Sequence, residues 1–263
     1  MIGLFLGNTD FPKKILDKVK KKKIKYFIID LTQNNIFKKD QYCKYISIGK
    51  FGQILNLIKE KKCKKVLFAG KIDKPKFSNL KFDLMGIYYL PRVIKASKLG
   101  DAAILKELIK ILSENKIKVI KSNFFNPELT LLKGNFSKIK PNKIDLINIS
   151  KGVKSLNRLN AHNHVQGLIV RNSSIIAKET SMGTKKMILS ISKSRKSHSI
   201  LIKFPKKKQD LRADLPTIGI DTLKDCKKVN IKGVVLKANQ NIFLDKKKVI
   251  TFANKNKMFI KII

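Results

Sequence analysis

At 263 residues the chain is long enough for two compact domains, and its 43% of hydrophobic residues can supply a core to each. No run reaches the roughly 18 apolar residues of a spanning helix, and the apolar start lacks a basic leader and is broken by Asn8, Asp10 and Pro12; the expectation is a cytoplasmic protein. The net charge of +41 is nearly all lysine spread along the chain, with arginine only at 92, 158, 171, 195 and 212, so no nucleic-acid partner is expected, while anionic lipid headgroups would be attracted.

Residues 2–6 read as a buried strand ending at Gly7. Asp10 is the expected cap, and Pro12 sits near the start, of a helix running to about residue 22. Strands are expected at 26–31, 45–48 and 65–69, the last ending at Gly70-Lys71. An amphipathic helix is expected at 53–60, after a turn bracketed by Gly49 and Gly52. This alternation predicts a sheet with helices on its faces. Residues 75–91 read as irregular, with short helices. Ile104, Leu105, Leu108, Ile111 and Leu112 give 101–114 a helical stripe, with Asp101 as its cap. A strand follows at 118–121. Pro127, Gly134 and Pro141 interrupt 126–141, which places the expected division between a Rossmann-like N-terminal domain, 1–130, and a C-terminal domain, 131–263.

Beyond it, a helix is expected at 145–158. Strands at 167–171 and 174–178 flank Asn172-Ser173 as a hairpin. A helix at 182–193, a strand at 199–204 and a helix at 222–227 follow. Strands at 233–236 and 240–244, a helix at 248–256 and a strand at 259–263 complete the chain. The fold class is α/β: two mixed α/β domains joined by a short linker, with a cleft between them.

Neither nucleotide-binding loop is present. Gly49-Lys50 and Gly70-Lys71 are not followed by Ser or Thr, and Gly3 to Gly7 lacks dinucleotide spacing. Gly7-Asn8 is a tight strand-to-helix turn that could approach a phosphate at the helix start. Cys43, Cys63 and Cys226 are odd in number and far apart, which argues against a disulfide framework and a structural zinc. His162 and His164 would share one face if they lay on a strand and could then bind a metal; a surface loop is the competing reading. His198 reads as loop.

Residues 200–219 carry the informative pattern. A β-run delivers Lys203, and a basic loop leads to Gln209, Asp210, Arg212, Asp214, Leu215 and Pro216. With 18 acidic residues against 59 basic ones, two carboxylates four apart with an arginine between them are notable. Cleaving a phosphate anhydride requires charge neutralisation and a placed water. Magnesium held by carboxylates and substrate phosphates supplies the first, and a carboxylate can orient the second. Arg212 and Lys203 could clamp phosphate oxygens. The residues equally admit a structural reading, in which Asp210 caps a turn and Asp214 pairs with Arg212.

At this motif the chain resembles the LpxI family of UDP-2,3-diacylglucosamine pyrophosphatases. Weaker matches are Gly7-Asn8, Phe11-Pro12, Gly49 to Gln53, Ala69-Gly70-Lys71, Gly100-Asp101, Pro127-Glu128-Leu129, Gln166, and Glu179 with Gly183-Thr184. The resemblance implies magnesium-dependent hydrolysis of a lipid-linked UDP-sugar held between two domains, with water attacking the phosphorus nearer the sugar. The products would be UMP and 2,3-diacylglucosamine 1-phosphate, lipid X, in Gram-negative lipid A synthesis. It makes Asp214 the principal catalytic and metal-binding carboxylate and Asp210 the second. Lys203, Arg212, Gln166, Glu179, Thr184, Gly7, Asn8, Gly70 and Lys71 become substrate contacts, and 82–90 a candidate wall for acyl chains, with ordinary core as the alternative. The expected location is the cytoplasmic face of the inner membrane, bound peripherally. Two positions depart from the family pattern: Lys185 replaces an aspartate, and Ala213 a larger residue. The competing functions are a non-enzymatic basic protein that binds nucleic acid and a hydrolase of another nucleotide-linked substrate.

Overall fold

The computed structural model describes residues 1–32, 34–71, 80–163, 165–192, 198–207 and 209–263, with only the backbone at 160–163. Two compact units divide the chain. One holds Met1–Pro127 and Gln209–Asp214; the other holds Glu128–Lys208 and Leu215–Ile263.

The first unit runs β1 (Ile2–Leu6), α1 (Asp10–Lys21), β2 (Tyr26–Asp30), β3 (Cys43–Tyr45), α2 (Phe51–Glu60), β4 (Lys65–Ala69), α3 (Leu84–Ser97), α4 (Asp101–Glu114) and β5 (Lys118–Val119). Its five strands are all parallel, in the order β3-β2-β1-β4-β5. Alternation along the strands separates two faces. Phe5, Phe27, Ile29, Val66 and Phe68 form one core with Phe51, Ile54 and Ile58 of α2 and Ile109 and Leu112 of α4. Leu4, Leu6, Ile28 and Leu67 are fully buried on the other, which leaves that face for the buried Ile15 and Val19 of α1.

The starts of α2 and α3 are joined by one carboxylate. Asp83 accepts from the backbone of Gly86 at 2.8 Å, Gly52 at 3.1 Å and Gln53 at 3.0 Å. These donors would otherwise lack partners in the first turns of two helices. Burial alone would raise the Asp83 pKa, but the three N–H groups hold it below the ordinary carboxylate range. The approach is close enough that a Cβ on Gly86 would stand 2.0 Å from the Gly49 carbonyl oxygen.

Several sequence expectations are corrected here. Residues 72–79 lie outside the described residues, but 84–97 is a continuous helix rather than irregular chain, with Pro91 inside it. Proline removes one helical hydrogen bond. Packing and ion pairing outweigh that loss: Tyr89 joins the core, and Arg92 binds Glu107 and Glu114 of α4 at 2.7 and 2.8 Å. The strand expected at 45–48 is β3, shifted earlier because Cys43 to Tyr45 pair with Ile28 to Asp30. Thr9 and Gly100, not Asp10 and Asp101, hold the cap positions; both acids lie in the first turn.

The second unit runs β6 (Gly134–Asn135), α5 (Lys143–Asn163), β7 (Gly167–Arg171), β8 (Ser174–Lys178), α6 (Gly183–Leu189), β9 (Ser199–Lys203), β10 (Thr217–Ile218), α7 (Ile220–Lys228), β11 (Ile231–Leu236), β12 (Ile242–Phe243), α8 (Lys246–Lys255) and β13 (Phe259–Ile262). Its main sheet has the order β6-β13-β11-β9-β7-β8, and β10 pairs with β12 separately. Strands β9, β11 and β13 are mutually parallel, while β7 runs against β9 and pairs with β8 in the expected hairpin. Asn172 and Ser173 both have positive φ, at 47° and 63°, as a two-residue hairpin turn requires. Leu168, Val170, Ile200 and Ile202 meet α5 through Ile149 and Leu156. Ile169, Leu201, Val234 and Ile260 meet Met187, Leu223 and Val249 of α6, α7 and α8. The expected helix at 182–193 is shorter, as Gly183–Leu189. His162 lies on α5, not on a strand, so the alternation that would have paired it with His164 is absent; His164 lies outside the described residues.

Asp83→Ala is expected to reduce the unfolding free energy by about 1–2 kcal/mol at neutral pH, the loss typical of a helix cap. The folded-state pKa of Asp83 is lowered, so its contribution is complete above the unfolded value of about 3.9. It fades as pH falls through the folded value. Urea unfolding of wild type and variant at neutral pH and near pH 3 should show the gap narrowing in acid.

Candidate functional site

Parallel strands direct their crossover loops to their carboxyl ends, where α/β folds bind ligands. In the first unit the crossovers reverse direction between β1 and β4. The two turns leaving those strands carry Gly7-Asn8 and Gly70-Lys71, all four expected as substrate contacts. They are tied to each other: the Asn8 N–H donates to the Lys71 carbonyl at 2.7 Å and the Lys71 N–H returns to Asn8 at 3.2 Å. Gly70 has φ of +88°, and a Cβ there would stand 2.5 Å from Cγ of Pro12. Glycine is therefore required for the two turns to close at the start of α1. The side chains of Asn8 and Lys71 are exposed.

The segment 209–214 belongs to this same unit. The Arg212 carbonyl accepts from the N–H of Ser122 at 2.6 Å, just beyond β5, and Ala213 packs against the first unit's core. Asp210 organises the turn. Its Oδ1 accepts from the Arg212 backbone at 2.9 Å and from the Arg212 Nε at 3.0 Å, and its Oδ2 accepts from Nη2 at 2.7 Å. Its backbone carbonyl accepts from Ala213 and Asp214. Arg212 draws the Asp210 pKa down against the opposing effect of burial, and the Arg212 pKa rises correspondingly. Asp214 is half-buried where the chain leaves the segment.

In the second unit, three expected contacts converge, Lys203, Glu179 and Thr184, and Gln166 lies at the same end of the sheet, its carbonyl accepting from the Phe204 N–H at 2.9 Å. Lys203 is the last residue of β9, and Leu236, the last of β11, pairs with it. Gly167 opens β7 opposite Lys203, and the Glu179 N–H donates to the Gly167 carbonyl at 2.8 Å. The Lys203 Nζ lies 3.2 Å from Glu179 Oε1, with both side chains 7% exposed. Thr184 donates to that carboxylate oxygen at 2.7 Å and closes the triangle with a short contact to Nζ. A buried ammonium requires such partners, because an unpaired charge in this environment would be costly. The Gln166 Oε1 is buried and has no partner among the described residues.

One participant was missed from sequence. Asn241, which is buried, donates to the Lys203 carbonyl at 3.2 Å and accepts from the Lys237 N–H at 2.9 Å, locking the end of β9 to the chain after β11. Its only signal was a short Asn239-Gln240-Asn241 run between two apolar stretches. Away from this site, at the opposite ends of β9 and β11, a second charged cluster joins the fully buried Asp145 to Lys232 at 2.6 Å and to His198 at 3.5 Å. Three distant residues make it, and no local spacing announces it.

A family model described as LpxI N-terminal domain matches residues 1–129, and one described as LpxI C-terminal domain matches residues 132–261. The UDP-2,3-diacylglucosamine pyrophosphatase LpxI of Caulobacter vibrioides is 27% identical over 223 residues, covering 82% of this chain and 80% of that protein.

Glu179→Ala should destabilise the second unit by about 3–5 kcal/mol, because it leaves the Lys203 ammonium buried and unpaired. Pairing it with Lys203→Met should restore most of that loss. A double-mutant cycle by denaturant unfolding checks both, and equal destabilisation by the single and double variants would contradict the assignment.

Proposed function

The chain belongs to the LpxI family, and we propose that it hydrolyses UDP-2,3-diacylglucosamine to UMP and 2,3-diacylglucosamine 1-phosphate in lipid A synthesis. The observation that supports this most directly is the buried Lys203–Glu179–Thr184 cluster at the carboxyl end of β9. A dianionic diphosphate calls for fixed cations, and an acylated amino sugar brings hydroxyl and amide donors. Lys203 and Arg212 are assigned to phosphate oxygens and Gln166 to such a donor. Glu179 and Thr184 hold the ammonium in place, and Gly7, Asn8, Gly70 and Lys71 are assigned as further substrate contacts.

Water attacks the phosphorus nearer the sugar, and the bond from that phosphorus to the bridging oxygen breaks, so UMP leaves with the bridging oxygen. Asp214 is assigned to orient the water and to ligate magnesium. Magnesium, when bound, neutralises charge developing on the phosphates. Among the described residues no group of three or more His, Cys, Asp or Glu could hold a metal. Magnesium would be held here through one or two carboxylates, with substrate phosphates and water completing its shell. Asp210 has both oxygens on Arg212, so it could join the metal only by releasing the guanidinium; its first role is to set the turn. No helix among the described residues is long and apolar enough to cross a membrane. The proposed location is the cytoplasmic face of the inner membrane, where a lipid-linked substrate resides.

Purified protein with substrate and magnesium should release UMP, and chelation should stop it. In heavy-oxygen water the label should enter the sugar phosphate and not UMP. Asp214→Ala should lower kcat by roughly 10²–10⁴-fold with the fold intact by circular dichroism. Wild-type turnover in that variant, or label in UMP, would refute the mechanism; faster turnover of another nucleotide-linked compound would reassign the substrate.

A further inference from the structure

Helix α3 carries an apolar stripe that the fold does not use. Its inward residues, Tyr89 among them, pack in the first unit's core, with Met85 and Val93 against it. On the outward side Leu84 is 86% exposed, Ile87 57% and Tyr88 69%. Pro91 and Ile94 continue the exposed row, and Leu99, just beyond the helix, is 72% exposed. Within the helix, positions 84, 87, 88, 91 and 94 recur at intervals of three and four, so they form one face. The stretch 82–90, expected as either acyl-chain wall or ordinary core, is thus divided between a buried side and an exposed apolar side.

Lysine predominates around this face. No acidic residue occurs in 84–100, although Asp83 caps the helix and the exposed Asp101 follows it; the exposed Lys81, Lys95 and Lys98 lie before, within and after the row. Lys106 and Lys110, on the neighbouring α4, are also exposed. An apolar helical face with lysines at its border is the composition of a helix lying in the plane of a bilayer surface, where side chains enter the acyl boundary and ammonium groups meet anionic headgroups. A solvated surface helix would gain nothing from a row of Leu, Ile, Tyr and Ile in water.

We propose that the outward face of α3 docks the chain on an anionic lipid bilayer. This deepens the functional reading above, from which it takes the reason for a bilayer, a substrate bearing acyl chains. The exposed Leu84, Ile87, Tyr88 and Ile94 enter the interface; Lys95 and Lys98 pair with headgroup phosphates.

The test is co-sedimentation of the full chain with phosphatidylethanolamine–phosphatidylglycerol vesicles and with phosphatidylcholine vesicles. At about 0.3 M salt the Debye length shrinks to roughly 5 Å, which suppresses adhesion by scattered lysines. Wild type should sediment with the anionic vesicles. Ile87→Gln/Tyr88→Gln, which leaves the net charge unchanged, should reduce the bound fraction about tenfold. Unfolding midpoints check the fold, and Leu84→Gln serves if the double variant is unstable. Wild-type binding by a folded variant would overturn the proposal, as would a face that instead holds two copies together, seen as loss of a dimer on substitution with no vesicle binding by wild type. Hydrolysis of detergent-dispersed substrate by wild type separates the two readings: turnover without vesicle binding removes only the docking face, and vesicle binding without turnover removes only the enzymatic reading.

Discussion

Parallel pairing is the constraint from which the polar geometry follows. Parallel strands cannot be joined by tight turns; each needs a crossover, usually a helix. Loops therefore leave at the carboxyl ends, and residues remote in sequence meet there. In the first unit that rule gathers Gly7-Asn8 and Gly70-Lys71 beyond β1 and β4. In the second it places Lys203 at the end of β9, beside the end of β11. The antiparallel hairpin β7–β8 then returns Gln166 and Glu179 to that same end, because β7 begins where β9 finishes.

The excess of lysine makes the few acids informative. Asp30 is fully buried and accepts from the Thr32 N–H and hydroxyl and from the Phe37 N–H, fixing the loop after β2. Asp83 joins two helix starts. Glu107 and Glu114 clamp Arg92. Asp145, Glu179 and Asp210 each hold a cation. All of these carboxylates answer a specific donor, whereas the exposed lysines are spread over solvated surface and act on association and solubility more than on fold. Substituting a lysine there changes a long-range field, while removing one of these acids leaves a named donor without a partner.

Sequence pattern revealed what is periodic or locally signalled. The helix at 101–114, the strand at 65–69 and the hairpin around Asn172-Ser173 were legible because stripe, alternation and turn chemistry are properties of short windows. Helix α3 was obscured by Pro91, since the tertiary support from Tyr89 and from Arg92 with its two glutamates is invisible locally. Within the candidate site, Gln166, Glu179, Thr184 and Lys203 could be named through resemblance, but the contact of Glu179 and Thr184 with Lys203 depends on strand order. Asn241 was missed because it bonds to a carbonyl at the far side of a crossover. The Asp145–Lys232–His198 cluster, away from that site, was missed because its three residues are far apart in sequence.

The acidic motif shows why a structural and a functional reading of the same residues need not compete. Asp210 does cap a turn, as its bonds to the Arg212 backbone and side chain establish. That turn is also what fixes the backbone of Asp214, whose N–H is held by the Asp210 carbonyl. Arginine suits position 212 because its planar fork meets both carboxylate oxygens while its carbonyl remains available to Ser122. A lysine would keep the charge and lose the fork. In a chain where lysine is the prevailing base, the arginine at this point is explained by geometry and not by charge, and the geometry it secures is that of the residue to which the chemistry is assigned.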